Sequence, residues 1–259
     1  MRKYFEFVHI EFQQEWHHRG AALSRVAFYG VILFIFSQLW KAVSVQTNFG
    51  LTSIEMLWYL AMTELIVLSF PLVHLDIEED VRSGNISYFL VRPFSYVGSR
   101  YARAMGSMLC KYLILAGAGW GFAWLFSGGL LPNLSGLMVF VPLSLLSVSV
   151  SLIYIVIIGV TSLWIQDCSP IYWVWQKLGF VLGGMILPLD IYPLWLKELA
   201  AWTPFTAFLY DPVMASIRAD YDMAFLALLK LLFWGVVGVL LLKWTFLKAE
   251  QGLTINGGS

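Results

Sequence analysis

Six apolar stretches, at residues 21–45, 54–75, 101–126, 140–165, 171–187 and 223–244, occupy most of the 259-residue chain. A helix needs about 20 predominantly apolar residues to cross the hydrocarbon of a bilayer. The chain is therefore expected to be an all-α integral membrane protein of six transmembrane helices, with little left over for a soluble domain. Composition agrees, because only 12% of residues are charged, about half the roughly 25% of an ordinary soluble domain. The 16 basic and 16 acidic residues cancel, so no bulk positive charge is available to grip nucleic acid. Cys110 and Cys168 lie in or beside different apolar stretches, which is neither a disulfide framework nor a metal-ligand spacing. Both read as small buried residues, and no metal site is expected.

Sidedness follows from the basic residues, because cytoplasmic flanks retain Lys and Arg. Of the 16 Lys and Arg, Lys111, Lys177 and Lys230 fall within spans, Lys41, Lys197 and Arg218 fall outside, and the remaining ten lie inside if the N-terminus does. That asymmetry predicts an N-in/C-in arrangement, which six spans satisfy. The first 20 residues carry Glu6, Glu11 and Glu15 and lack an apolar core before a cleavage site, so they do not read as a secretory signal. The fourth stretch begins as early as Leu134; a tilt or kink is expected at Pro142, near its outer end.

Three non-spanning segments carry the rest of the information. In residues 1–20, Tyr4, Val8, Phe12 and Trp16 recur every four residues, the pattern of an amphipathic helix lying in the cytoplasmic interface. It serves either as an anchor or as a docking surface. Residues 76–100 open on Asp76, Glu78, Glu79 and Asp80 and continue through Arg82, Ser83, Gly84 and Asn85. Acidic residues ahead of basic ones suit a short helix and its dipole, and Gly84 suits its C-terminal cap. Residues 188–222 are too apolar for an ordinary external loop and too broken by proline to cross. With Gly183 and Gly184 before it and Pro188, Pro193, Trp195 and Pro204 within it, this segment is expected to form a re-entrant hairpin in the outer leaflet, its backbone internally paired or covered. Span six and a cytoplasmic tail, 245–259, follow.

Groups able to do chemistry are scarce. No Gly-Lys dipeptide occurs, so there is no P-loop for nucleotide phosphates. The four histidines form no zinc-protease pair, and no Gly-x-Ser-x-Gly elbow is present. Residues 78–82 resemble the paired-glutamate motif of prenyl-protein proteases but are one residue short and outside the bilayer. Intramembrane charges are the remaining candidates. Glu64 and Lys111 lie about eleven and ten residues from the inner ends of adjacent antiparallel spans, hence both about 15–17 Å deep at about 1.5 Å per residue. They are expected to be able to pair, either as a structural lock or as part of a transport path. Trp58, Trp124, Trp164, Trp173, Trp202 and Trp244 fall near expected interfaces, as an aromatic belt would.

An interfacial N-terminal helix, six spans, a short charged helix after span two and an outer hairpin before span six together resemble the permease subunit of ABC-2 type exporters. Locally, Asp76 to Pro93, with Leu90 and Arg92-Pro93, is similar to that family's charged helix and Leu-x-Arg-Pro stretch. Gly183-Gly184, Pro188, Pro193-Leu194-Trp195 and Pro204 are similar to its outer signature. The resemblance implies a coupling helix, here 76–85, seated in a groove of a separate ABC ATP-binding subunit against which the N-terminal helix also packs. It implies a non-catalytic chain that binds no cofactor, with ATP and Mg on the partner ATPase, and two permeases with two ATPases in a bacterial cytoplasmic membrane. Spans two and five would line the path between permeases, as a homodimer or a heterodimer. The apolar hairpin favours an amphiphilic, lipid-linked or drug-like cargo. A secondary transporter or channel, or an assembly scaffold, is the alternative; the former would be expected to show internal repeats and broken mid-membrane helices, which the sequence lacks.

Overall fold

The computed structural model describes residues 2–43, 50–90, 94–129 and 133–256, and all regular structure among them is helical. The helix α1 (Arg2–His17) precedes α2 (Arg19–Val43), α3 (Ser53–Leu68), α4 (Val73–Arg82) and α5 (Ile86–Leu90). The long helices α6 (Tyr96–Phe126) and α7 (Leu134–Val160) follow, then α8 (Ser162–Ile165), α9 (Ser169–Leu182), α10 (Leu194–Ala201), α11 (Asp211–Ile217) and α12 (Tyr221–Asn256). Five segments are long and apolar enough to cross a membrane: 19–42, 53–82, 96–126, 134–165 and 221–249. The second of these is α3 and α4 taken together across a break at 69–72.

Local chemistry explains most boundaries. Glu55 closes a capping box with Thr52 at the start of α3. The Thr52 hydroxyl accepts from its N–H at 3.2 Å, and its carboxylate accepts from the Thr52 N–H at 2.7 Å, satisfying two donors that a helix start leaves open. The second expected span, 54–75, ends seven residues early at Leu68. Pro71 has no N–H to give and disfavours helical geometry in Phe70 before it. The expected kink site at Pro142 lies inside α7, which continues as one helix on both sides of it.

The fifth expected span, 171–187, is instead the 14-residue α9, about 21 Å long at about 1.5 Å per residue and short of the roughly 30 Å hydrocarbon. It stops because Gly183 and Gly184 turn the chain, Gly184 at φ +63° where a side chain would be strained. The non-helical backbone beyond is stapled to α3: the Tyr59 hydroxyl donates to the Gly184 carbonyl, and Thr63 Oγ1 donates to the Met185 carbonyl at 2.8 Å. These bonds meet the pairing demand of irregular backbone within an apolar surround.

The core centres on α3, enclosed by α2, α6, α7 and α11 and buried continuously from Met56 to Ile66. Trp58 belongs to this core at 2% exposure, so it is not part of an interfacial belt. The other five tryptophans of the expected belt are 47–85% exposed. Small residues let helices approach: Gly119 of α6 receives the Tyr29 ring, and a Cβ there would lie 2.2 Å from it. Tyr29 can then donate its hydroxyl to the Ala61 carbonyl at 2.5 Å. Close contact through small residues drives helix association where lipid supplies no hydrophobic force.

Candidate functional site

The helix α4 follows from its pattern. Apolar Val73, Ile77 and Val81 recur at helical spacing, and Ser83 with Gly84 closes the end, Gly84 at φ +73°. The 3.6-residue period then divides the acidic run. Glu78 and Asp80 turn into the bundle and are buried, whereas Asp76, Glu79, Arg82, Ser83, Gly84 and Asn85 are exposed. The eight residues of the expected coupling segment are therefore divided between a buried and an exposed set. Arg92 and Pro93 lie outside the described residues.

The inward carboxylates anchor α4 at two places. Asp80 accepts the Tyr96 hydroxyl at 2.6 Å and a hydrogen-bonded ion pair from the Arg100 guanidinium. That guanidinium also lies over the Phe89 and Tyr96 rings at 5.5 and 5.8 Å. Glu78 accepts from Cys168, through the backbone N–H at 3.0 Å and the thiol at 3.2 Å, and pairs with Arg82 at 3.4 Å. Burial, reinforced by Glu78, pushes the Cys168 thiol up to about 12, so it stays protonated and able to donate. Next to it, the His74 ring stacks on Tyr172 of α9 at 3.7 Å. Thus α4 is tied to the start of α6 and to the start of α9.

The amphipathic α1 lies along α6 rather than standing free. Its Val8 carbonyl sits against Gly106, Tyr4 against Gly98, and the Ser95 N–H donates to the Tyr4 hydroxyl at 3.3 Å. The packed side includes Tyr4, Val8, Glu11, Phe12 and Glu15; Trp16, expected on the same face, is 54% exposed, as are Phe5 and Ile10 to 74% and 54%. Glu15 is a hub. It pairs with Arg25 at 2.7 Å, with Lys111 at 3.6 Å, and accepts from Ser107 at 2.9 Å. Burial raises the Glu15 carboxyl, but the Arg25 hydrogen bond, the Lys111 charge and Ser107 outweigh it and hold it below the usual carboxylate range.

Lys111 thus pairs with Glu15 and not with Glu64. Counting depth from the ends of the apolar stretches misplaced both residues. Pro71 ends α3 early, bringing Glu64 to within a few residues of a helix end, while α6 starts at Tyr96 and carries Lys111 alongside α1. Glu64 remains buried in the α3 core. Glu15, Arg25, Tyr96, Arg100 and Cys168 have no motif to announce them, and only folding brings them to this site.

At the opposite end of the bundle, Asp190 gathers the segment after α9. It accepts from Lys197 at 2.7 Å, Tyr210 at 2.8 Å and Arg218 at 2.9 Å. Gly183, Gly184 and Pro188 are buried here, whereas Pro193 and Trp195 on α10 are exposed; Pro204 leads into a π turn, Thr206–Tyr210, continuous with α11. Burial works to raise the Asp190 carboxyl, but Lys197, Tyr210 and Arg218 hold it below the usual range. A depressed folded value stabilises fully above the ordinary carboxylate value of about 3.9 and less as pH falls through the folded value. Acidification below about pH 4 is therefore expected to lower amide protection across 189–217 relative to the intrinsic exchange rate at each pH, and Asp190→Asn to show the lowered protection already at neutral pH. An Asp190→Asn variant that keeps the wild-type pH profile would remove Asp190 as the cause.

Five segments of membrane-crossing length, one of which contains the buried α3 at the centre of the bundle, define a multi-pass helical membrane protein. The chain belongs to the ABC-2 family transporter proteins, whose family model matches residues 26–257. It is a membrane permease component of an ABC transporter, and membership implies an ABC ATP-binding partner. No curated protein matches the chain.

Proposed function

We propose that this permease is the non-catalytic membrane subunit of an exporter, driven by ATP hydrolysis in a separate subunit that bears on α4. The observation carrying this is the division of α4 into an inner face, bonded through Asp80 to α6 and through Glu78 to α9, and an outer face bearing Glu79, Arg82 and Ser83. A displacement applied to the outer face reaches two membrane elements through buried hydrogen bonds. ATP and Mg reside on the partner in this scheme. The N-terminus and α4 lie on the cytoplasmic side of a bacterial inner membrane, and α9 with the stapled 183–188 segment and α10 completes a sixth, re-entrant element.

Cargo passes between two permeases. The cavity bounded by α3, α7, α9 and the π turn has a volume of about 50 Å³, far below the roughly 300–1,000 Å³ of small-ligand sites, so it does not hold an amphiphile. Since α3 is enclosed, α9, which the resemblance pairs with span two along the path, offers the apolar face there, through Trp173, Val174, Leu178 and Val181, while α2 and α12 also expose long apolar faces. Such a face suits an amphiphilic, lipid-linked or drug-like cargo and a second permease, identical or paralogous.

Charge reversal tests the scheme. Glu79→Lys is expected to leave the fold intact, since exposed substitutions away from buried partners shift stability by only about 0.5 kcal/mol; Arg82→Glu also breaks the pair with the buried Glu78, so its coupling is compared with that of Arg82→Gln, which loses the same pair without reversing the charge. In the reconstituted complex the two reversals should cut transport per ATP hydrolysed by about tenfold or more. Unchanged coupling in both variants would exclude α4 as the contact.

A further inference from the structure

The Glu15 hub borders a polar cleft of about 370 Å³ between α1, α6 and the α3–α4 break, within the roughly 300–1,000 Å³ range of small-ligand sites. Its charges do not cancel pairwise. Arg25 and Lys111 share the single carboxylate of Glu15, leaving one positive charge over, while Arg100 is neutralised by Asp80. Arg103 rests on the Phe7 ring at 5.3 Å and has no ion-pair partner among the described residues. Glu11 and Asp76, also in the wall, likewise lack one among the described residues. Burial raises the Glu11 carboxyl above the usual range; Arg103 opposes this, and Asp76 and Glu15 add to it. Arg103 thus acts on Glu11 and Asp76, and Lys111 on Asp76, through their charges, while no ion pair closes between the two sets among the described residues.

On the far side of Glu15, Arg25 and Lys111 a shallow seam runs between α2 and α6, bounded by Ala22, Ile114 and Leu115. A ligand that fits has a phosphate for Arg103 and the shared Lys111 charge, a cation for Glu11 and Asp76, and an apolar part for the seam. Paired carboxylates with no aromatic box favour a primary ammonium, with three N–H donors, over a quaternary one, which selects aromatic faces.

We propose that this cleft binds the phosphoethanolamine headgroup of a glycerophospholipid from the adjoining leaflet, with an acyl chain leaving along the α2–α6 seam. The proposal does not depend on α4 being the ATPase contact, and its test requires no transport. The purified full-length chain in detergent is titrated by native mass spectrometry with phosphatidylethanolamine, phosphatidylglycerol and water-soluble glycerophosphoethanolamine. Phosphatidylethanolamine should bind about tenfold tighter than phosphatidylglycerol, the scale of one charge-assisted hydrogen bond. Arg103→Gln should weaken both lipids by about tenfold, and Glu11→Gln with Asp76→Asn should reverse the preference, which a loss of packing would not do. If Arg103→Gln fails to fold, the carboxamide variant carries the test alone. Equal affinity for the two lipids, or an unchanged preference in the carboxamide variant, overturns the proposal. Binding of glycerophosphoethanolamine as tight as that of the lipid overturns the lipid assignment in favour of a soluble phosphate ester.

Discussion

Asp80→Ala is expected to destabilise the protein by about 3–5 kcal/mol, the range for breaking a buried ion pair by removing one partner. Asp80 and Arg100 expose only 9% and 13% of their side chains, so Arg100 would be left charged, largely desolvated and without its carboxylate. The Tyr96 hydroxyl would lose its acceptor in the same step. Thermal unfolding of the purified chain measures the effect. The double variant Asp80→Leu with Arg100→Met should recover most of the loss, since well-packed apolar residues often replace a buried pair at little cost. Glu79→Ala, one residue away but exposed, should stay within about 0.5 kcal/mol. An Asp80→Ala variant that melts with the wild type would mean that solvent or another group already satisfies Arg100.

Gly106→Ala is expected to lift α1 off α6. A Cβ at Gly106 would lie 2.2 Å from the Val8 carbonyl oxygen and 3.0 Å from the Glu11 Cβ, and the first of these is backbone, which no rotamer change can move. Overpacking ordinarily costs about 1–3 kcal/mol; here it also separates Glu15 from Ser107 and Lys111, so the effect should lie at or above the top of that range. Limited proteolysis and hydrogen exchange over residues 2–17 should show α1 losing protection. Gly117→Ala on the same helix, where a Cβ meets nothing within 4 Å, is the control and should change neither. Retained protection in Gly106→Ala would show that α1 and α6 can slide apart without loss.

Much of this architecture is legible in residue order. Apolar stretches mark α2, α6, α7 and α12, because burial in lipid demands long runs without charge and composition alone records that. The four-residue recurrence from Tyr4 to Trp16 marks α1, and Gly84 marks the end of α4. Pro71 and Gly183-Gly184 are equally visible, yet hydropathy passes over them. Their effect on α3 and α9 comes from a missing N–H and from glycine's backbone freedom, not from polarity.

The site is less legible. Glu78 and Glu79 are neighbours of one type, and a helix turns one to Cys168 and the other outward; which way each points depends on where α6 and α9 stand. Lys111 offered Glu64 as a partner by depth, but ion pairs form at about 4 Å and depth counting resolves no better than a helical turn. Residue order by itself determined that this chain is a helical membrane protein with an amphipathic start and a charged helix after its second apolar stretch, because hydrophobic periodicity is a local property. Which carboxylates anchor that helix, which one holds α1, and where a polar cleft opens between them were decided only by tertiary structure, because short-range electrostatics depends on contacts between residues as far apart as Glu15 and Lys111.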